Sequence, residues 1–238
     1  MRILTVALMM ALAGPVVADE KPDAQRPQQL AATLKVQIGY LLALPADYEK
    51  QDQWPLLLFL HGSGERGDNL DLVKKHGPPK LIAEGSRSLP FVVVSPQCAS
   101  GKTWEPFELV ALLEEVSRIH KVDPDRIYVT GLSMGGGGTW RLAAYAPDRL
   151  AAIAPICGTG DPFAAERYAH IPCWAFLGAK DSAKTVERMT ATVDALKKSG
   201  GDPKFTIYPD AGHDAWTETY NNPAFYEWLL KQKRQPKK

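Results

Sequence analysis

Arg126-Ile127-Tyr128-Val129-Thr130-Gly131-Leu132-Ser133-Met134-Gly135-Gly136 is the stretch on which the fold and the chemistry both turn. Ile127 to Thr130 is β-branched and aromatic, the composition of a buried strand, and Trp140 to Tyr145 reads as helix. Between them lies a Gly-x-Ser-x-Gly. The pentapeptide alone is a weak signal; strand, motif and helix in that order make a strong one. A serine at the apex of a tight strand-to-helix turn sits in strained backbone with its hydroxyl facing outward. Glycine at 131 and 135 leaves room where a Cβ would meet the neighbouring strand or helix. Gly136 to Gly138 prolong the run, each costing a helix roughly 1 kcal/mol against alanine. That cost implies close packing on a sheet.

Outward from this stretch the pattern repeats. Leu34 to Leu44 alternates as an antiparallel strand or hairpin and stops at Pro45, and Pro55 to Leu60 is a continuous apolar run of the buried parallel type. Phe91 to Ser95, Arg126 to Gly131, Ala151 to Ile156, Cys173 to Leu177 and Phe205 to Tyr208 are short apolar runs bounded by Gly, Pro or Asp. Helical periodicity falls between them, in Phe107 to His120 and Val186 to Lys198. Strands alternating with helices predict right-handed crossovers and an α/β fold, a mostly parallel sheet with helices on both faces. No internal repeat is present.

A serine hydroxyl needs a base, and the base needs an acid to fix its tautomer. In a sheet wound this way the acid closes the last strand but one and the base follows the last. His213, in Asp210-Ala211-Gly212-His213-Asp214 after Phe205 to Tyr208, is the predicted base. His61, His76, His120 and His170 stand in loops or at helix ends elsewhere. Asp181, in Gly178-Ala179-Lys180-Asp181, is the predicted acid, with Asp161 its main rival and helix capping its alternative role. Stabilising the oxyanion calls for two backbone N–H donors, assigned to Met134 and to Ser63 in His61-Gly62-Ser63-Gly64. The same loop holds a Gly-x-Gly-x-x-Gly over 62–67, but no helix opens at Gly67 and no acid closes the next strand, so a dinucleotide site is not expected.

Of the 238 residues 45% are apolar, enough to bury one α/β core, expected over 31–232. Lys and Arg total 28 against 27 Asp and Glu, which leaves no basic footprint for nucleic acid. Residues 1–18 have the basic start, short apolar core and small closing residues of a secretion signal cut after Ala18; 19–30 read as a flexible arm and 233–238 as a solvated basic tail. Export to the periplasm or medium follows, and no other apolar run is long enough to cross a membrane. Three cysteines, Cys98, Cys157 and Cys173, allow at most one internal bridge, with Cys98 to Cys157 conceivable. None has the spacing of a metal site.

Leu57 to Gly67, Ser95 to Cys98, Ile127 to Gly136, Pro155 to Gly158, Gly178 to Asp181 and Gly212 to Trp216 together resemble the α/β-hydrolases related to dienelactone hydrolases, small carboxylesterases and the catalytic domains of prolyl oligopeptidases. The resemblance covers about Tyr40 to Leu230. It implies an eight-stranded sheet, no cofactor, and cleavage of carboxylic esters through an acyl-enzyme, with Ser133, Asp181 and His213 as triad and Ser63 and Met134 over the oxyanion. One departure is Ser182-Ala183-Lys184-Thr185 after the acid, where such proteins often carry an apolar tip. Trp104, Phe163 and Trp216 are candidates to line the substrate pocket, and Glu65 and Arg66 are expected to pair with one another or with the loop backbone. The expected partner is a small-molecule or polysaccharide-linked ester. The alternatives are a serine peptidase and a non-catalytic binding protein on the same fold.

Overall fold

The computed structural model describes residues 35–234, with isolated positions before them. The signal at 1–18, most of the arm at 19–30, and 235–238 lie outside the described residues. The unit from Val36 onward is built on one sheet of seven strands. In chain order these are β1 (Tyr40–Ala43), β2 (Trp54–Leu60), β3 (Val92–Pro96), β4 (Val122–Leu132), β5 (Ala152–Ile156), β6 (Trp174–Gly178) and β7 (Lys204–Tyr208). They lie side by side as β1-β3-β2-β4-β5-β6-β7, parallel except for β1, which runs antiparallel to β3.

Every residue of β2, β3, β5 and β6 is buried, as is β4 from Ile127 onward. A sheet covered on both faces has no use for alternation, which is why these strands read as unbroken apolar runs. The helices are α1 (Gly77–Ala83), α2 (Pro106–Ile119), α3 (Met134–Tyr145), α4 (Ala183–Lys198), α5 (Trp216–Asn221) and α6 (Pro223–Leu230). The step from β2 to β3 moves in one direction across the sheet, and those from β3 to β4, β4 to β5 and β6 to β7 move in the other. Right-handed crossovers therefore place α1 on one face and α2, α3 and α4 on the opposite one. Consistent with this, α1 packs on α5 and α2 on α3.

The sheet differs from the eight strands implied by resemblance. Among the described residues one strand forms at the amino-terminal edge: Gln97 N–H donates to Gly39 O, and pairing with β3 begins at Tyr40. Before that the chain has no ladder partner among the described residues. The basic tail is also not simply solvated where it is described. Arg234 donates through Nε and Nη2 to Asp125 Oδ1, and its main-chain N–H donates to Asp125 O.

Candidate active site

The turn after β4 puts Ser133 at φ 52°, ψ −113°, immediately before α3. No other described non-glycine residue except Cys157 has positive φ, so this is stored strain of the kind that presents a side chain. The flanking glycines follow from distance. A Cβ on Gly135 would stand 1.9 Å from Leu60 O, and one on Gly131 would stand 2.5 Å from Gly135 O. Gly136 and Gly138 are equally confined, by Ile156 O and by Trp104. Gly137 is not, since its Cβ would meet only Thr159 O at 3.5 Å. Gly137→Ala should therefore raise stability by about 0.5–1 kcal/mol, read from a denaturant midpoint at unchanged slope. A loss of stability would show that this glycine too is required by packing.

The carboxyl ends of β6 and β7 supply the partners. Gly178 closes β6 so tightly against the turn after β7 that a Cβ there would lie 1.9 Å from Gly212 O. Lys180 N–H donates to Ala211 O and Ala179 N–H to Tyr208 O, so the two turns are clamped main chain to main chain. Across that clamp the Nδ1–H of His213 donates to Asp181 Oδ2 at 2.8 Å, and Nε2 accepts from Ser133 Oγ at 2.9 Å. The Asp181 side chain is 4% exposed and that of His213 47%. A shielded carboxylate thus backs an accessible imidazole. Asp181 Oδ1 also accepts from Ser182 N–H, while capping of α4 falls to Ser182, whose hydroxyl accepts from Thr185 N–H. The rival Asp161 serves the backbone instead, its carboxylate accepting from Phe163 N–H at the start of the 3-10 turn Pro162–Arg167.

Met134 opens α3, so its N–H has no acceptor within the helix and points with the positive end of the helix dipole. Ser63 opens a 3-10 turn, Ser63–Glu65, one residue after Gly62. A Cβ on Gly62 would lie 3.7 Å from Ser133 Cβ, so this loop is against the nucleophile. His61 holds it there as a strut. Its ring accepts from Cys98 N–H through Nε2 and donates to Gly62 O through Nδ1, and burial lowers its pKa, keeping it neutral.

Two of the three pocket aromatics are placed otherwise than expected. Trp104 is 2% exposed, donates its indole N–H to His61 O, and packs edge-on to the His61 ring at 4.8 Å. It belongs to the core beneath the loop, where its apolar bulk is withdrawn from water. Phe163 is 97% exposed and encloses nothing. Trp216 does adjoin the site, its ring perpendicular to that of His213 at 5.3 Å.

All three cysteines are free and buried, so Cys98 and Cys157 are not bridged. Burial raises each thiol's pKa, that of Cys157 to about 11, which holds the thiols protonated and unreactive as nucleophiles at neutral pH. Sequence reasoning missed how close Cys157 comes to the triad: Cys157, Asp181 and His213 each offer an atom within 4.8 Å of the others'. The available signal was its position directly after β5, at the sheet edge that carries Ser133. His76, one of the histidines set aside as standing in loops or at helix ends, is near the site as well; its ring lies 5.6 Å from that of Trp216.

Comparison with known proteins agrees with this architecture. A solved thermostable esterase is 32% identical, with a TM-score of 0.71, covering 84% of this chain and 60% of its own. The carboxylesterase SOBER1 of Arabidopsis thaliana is 23% identical over 189 residues, 66% of this chain and 82% of its own length. The bifunctional acetylxylan esterase/xylanase of Neocallimastix patriciarum is 27% identical over 142 residues, which span 57% of this chain but only 20% of that protein. The dienelactone hydrolase family model matches residues 36–227, and the chain belongs to that family.

Proposed function

We propose that this protein is a serine carboxylesterase in which Ser133, His213 and Asp181 act as the triad, on acyl groups carried by plant polysaccharide or its fragments. The observation that carries the reading is the unbroken hydrogen-bonded line from Ser133 Oγ through His213 to Asp181, set at a strained turn and a helix amino terminus. His213 takes the Oγ proton as Oγ attacks the acyl carbonyl. The oxyanion is received by the N–H groups of Ser63 and Met134, and Asp181 stabilises the imidazolium. His213 then gives its proton to the departing alkoxide, and a water molecule activated by the same imidazole releases the acid.

The half-exposed His213 supports an ester presented on a bulky carrier, and the acetylxylan esterase among the relatives supports a carbohydrate one. Residues 1–18 support export, which would put the enzyme where such polymers are met; the amino-terminal mass of the secreted protein checks cleavage after Ala18.

Incubation with acetylated xylan, feruloylated arabinoxylan and a peptide p-nitroanilide should release acetate or ferulate and leave the anilide intact. Faster cleavage of the anilide would replace this reading by the peptidase one. Turnover of none of them, with no fluorophosphonate labelling, would leave a binding protein.

A further inference from the structure

Two buried polar atoms beside the triad have no protein partner: Oε2 of Glu65 and Nε1 of Trp216. The Glu65 side chain is only 8% exposed and faces His76, with Oε1 3.9 Å from His76 Nε2. It does not pair with Arg66, which instead donates through Nε to Ser63 O and through Nη1 to Lys102 O. On its other side, Oε2 lies 3.2 Å from where a Gly62 Cβ would stand, and that point is 3.7 Å from Ser133 Cβ. The His76 ring, 36% exposed, lies edge-on to Trp216, which abuts His213. Glu65, His76 and Trp216 thus form a continuous patch from the oxyanion loop to the base.

A buried acceptor and a buried donor left unpaired in one patch are unusual, because each forfeits the hydrogen bonds it would make in water. Their chemistry specifies what would satisfy them. An ionised carboxylate only accepts, an indole N–H only donates, and an imidazole can do either. An ammonium group would leave the indole unpaired, and a carboxylate or phosphate would set like charge against Glu65. A hydroxyl can both donate and accept, so it suits the carboxylate, the indole and the imidazole alike. Its place in the substrate follows from the proton transfer: His213 protonates the leaving oxygen, so the alcohol lies on the His213 side, where Trp216 stands.

We propose that Glu65, His76 and Trp216 form a polar subsite that binds a hydroxyl of the alcohol portion of the ester, selecting polyhydroxylated leaving groups such as sugars over simple alcohols. This rests on the esterase reading above. Oε2 and Nε1 are closed to bulk solvent, and the His76 ring, 36% exposed, is the member of the patch that an incoming hydroxyl meets first and that holds it there.

The test is the ratio of kcat/KM for mono-O-acetylated xylobiose to that for ethyl acetate, which share an acyl group and differ in the alcohol. In Glu65→Gln and in His76→Ala the ratio should fall at least tenfold, chiefly through KM for the sugar ester, and the inhibition constant of free xylobiose should rise at least as much. His76→Ala alters a partly exposed ring and carries the test if Glu65→Gln does not fold. An unchanged ratio and an unchanged inhibition constant, in protein that still hydrolyses both esters, would mean that the patch holds only water and would overturn the subsite. Wild-type protein that hydrolyses neither ester would instead overturn the esterase reading, and the subsite with it.

Discussion

Ser133→Ala should lower kcat/KM for any ester substrate by on the order of 10⁴- to 10⁶-fold while leaving the unfolding midpoint close to that of the wild type. The size follows from the geometry. The whole hydrogen-bonded line ends at one oxygen, Ser133 Oγ, 2.9 Å from His213 Nε2, and no described side chain near it can substitute. Cys157, which lies beside Asp181 and His213, is buried, with its thiol held protonated by that burial. What survives the substitution is the oxyanion site and substrate binding, the source of residual rate in enzymes of this kind. Alanine at a positive φ is no more strained than serine, so the fold has no reason to weaken. A variant retaining a tenth of wild-type activity would place the nucleophile elsewhere; one inactive because it is unfolded would be recognised by its lost melting transition.

Asp181→Asn should cost about 10⁴-fold in kcat, again with little change in stability. The two oxygens of Asp181 have different partners, Ser182 N–H on Oδ1 and His213 Nδ1 on Oδ2. An asparagine can keep its carbonyl oxygen toward Ser182, and the amide nitrogen then faces the imidazole. Two donors cannot share that contact, so His213 adopts the tautomer with its proton on Nε2, which points a hydrogen at Ser133 and cannot accept one. The ring stays in place and loses its competence as a base. Kinetics on a chromogenic ester, with thermal unfolding as control, separate this from collapse of the site. A loss below tenfold would mean that another carboxylate orients the imidazole.

The parts of this arrangement that could be read in the sequence are those fixed by short-range rules. Ile127 to Gly135 carries its own strand, turn and spacing, and the inner strands β2 to β6 coincide with apolar runs because a sheet buried on both faces leaves that mark. Asp181 and His213 could be named because strand order brings successive carboxyl ends to one edge of the sheet. What could not be read depends on where loops go after leaving the sheet. Trp104 and Trp216 are both aromatic and both near strand ends; only the tertiary path sends one under the His61 loop and the other beside His213. Glu65 and His76 belong to the first half of the chain, and His76 joins Glu65 to Trp216 near its end, with no local pattern to announce it. Helix α1 was hidden by its opening Gly77-Pro78-Pro79, which suggests a loop although proline suits the first turn of a helix. The Arg234 to Asp125 contact likewise joins distant residues, the first of them in a tail that composition alone marked as solvated.

The burial of all three sulfurs gives this protein an internal clock for its own opening motions. A thiol reagent cannot reach Cys157 or Cys173 in the closed state, so alkylation proceeds only during excursions that expose them, at rates set by the free energy of each opening. Cys173 precedes β6 at the edge of the sheet remote from Ser133, whereas Cys157 lies against the triad. Comparing their alkylation rates by mass spectrometry would therefore distinguish breathing of the catalytic end from unfolding of the whole sheet, without introducing any label.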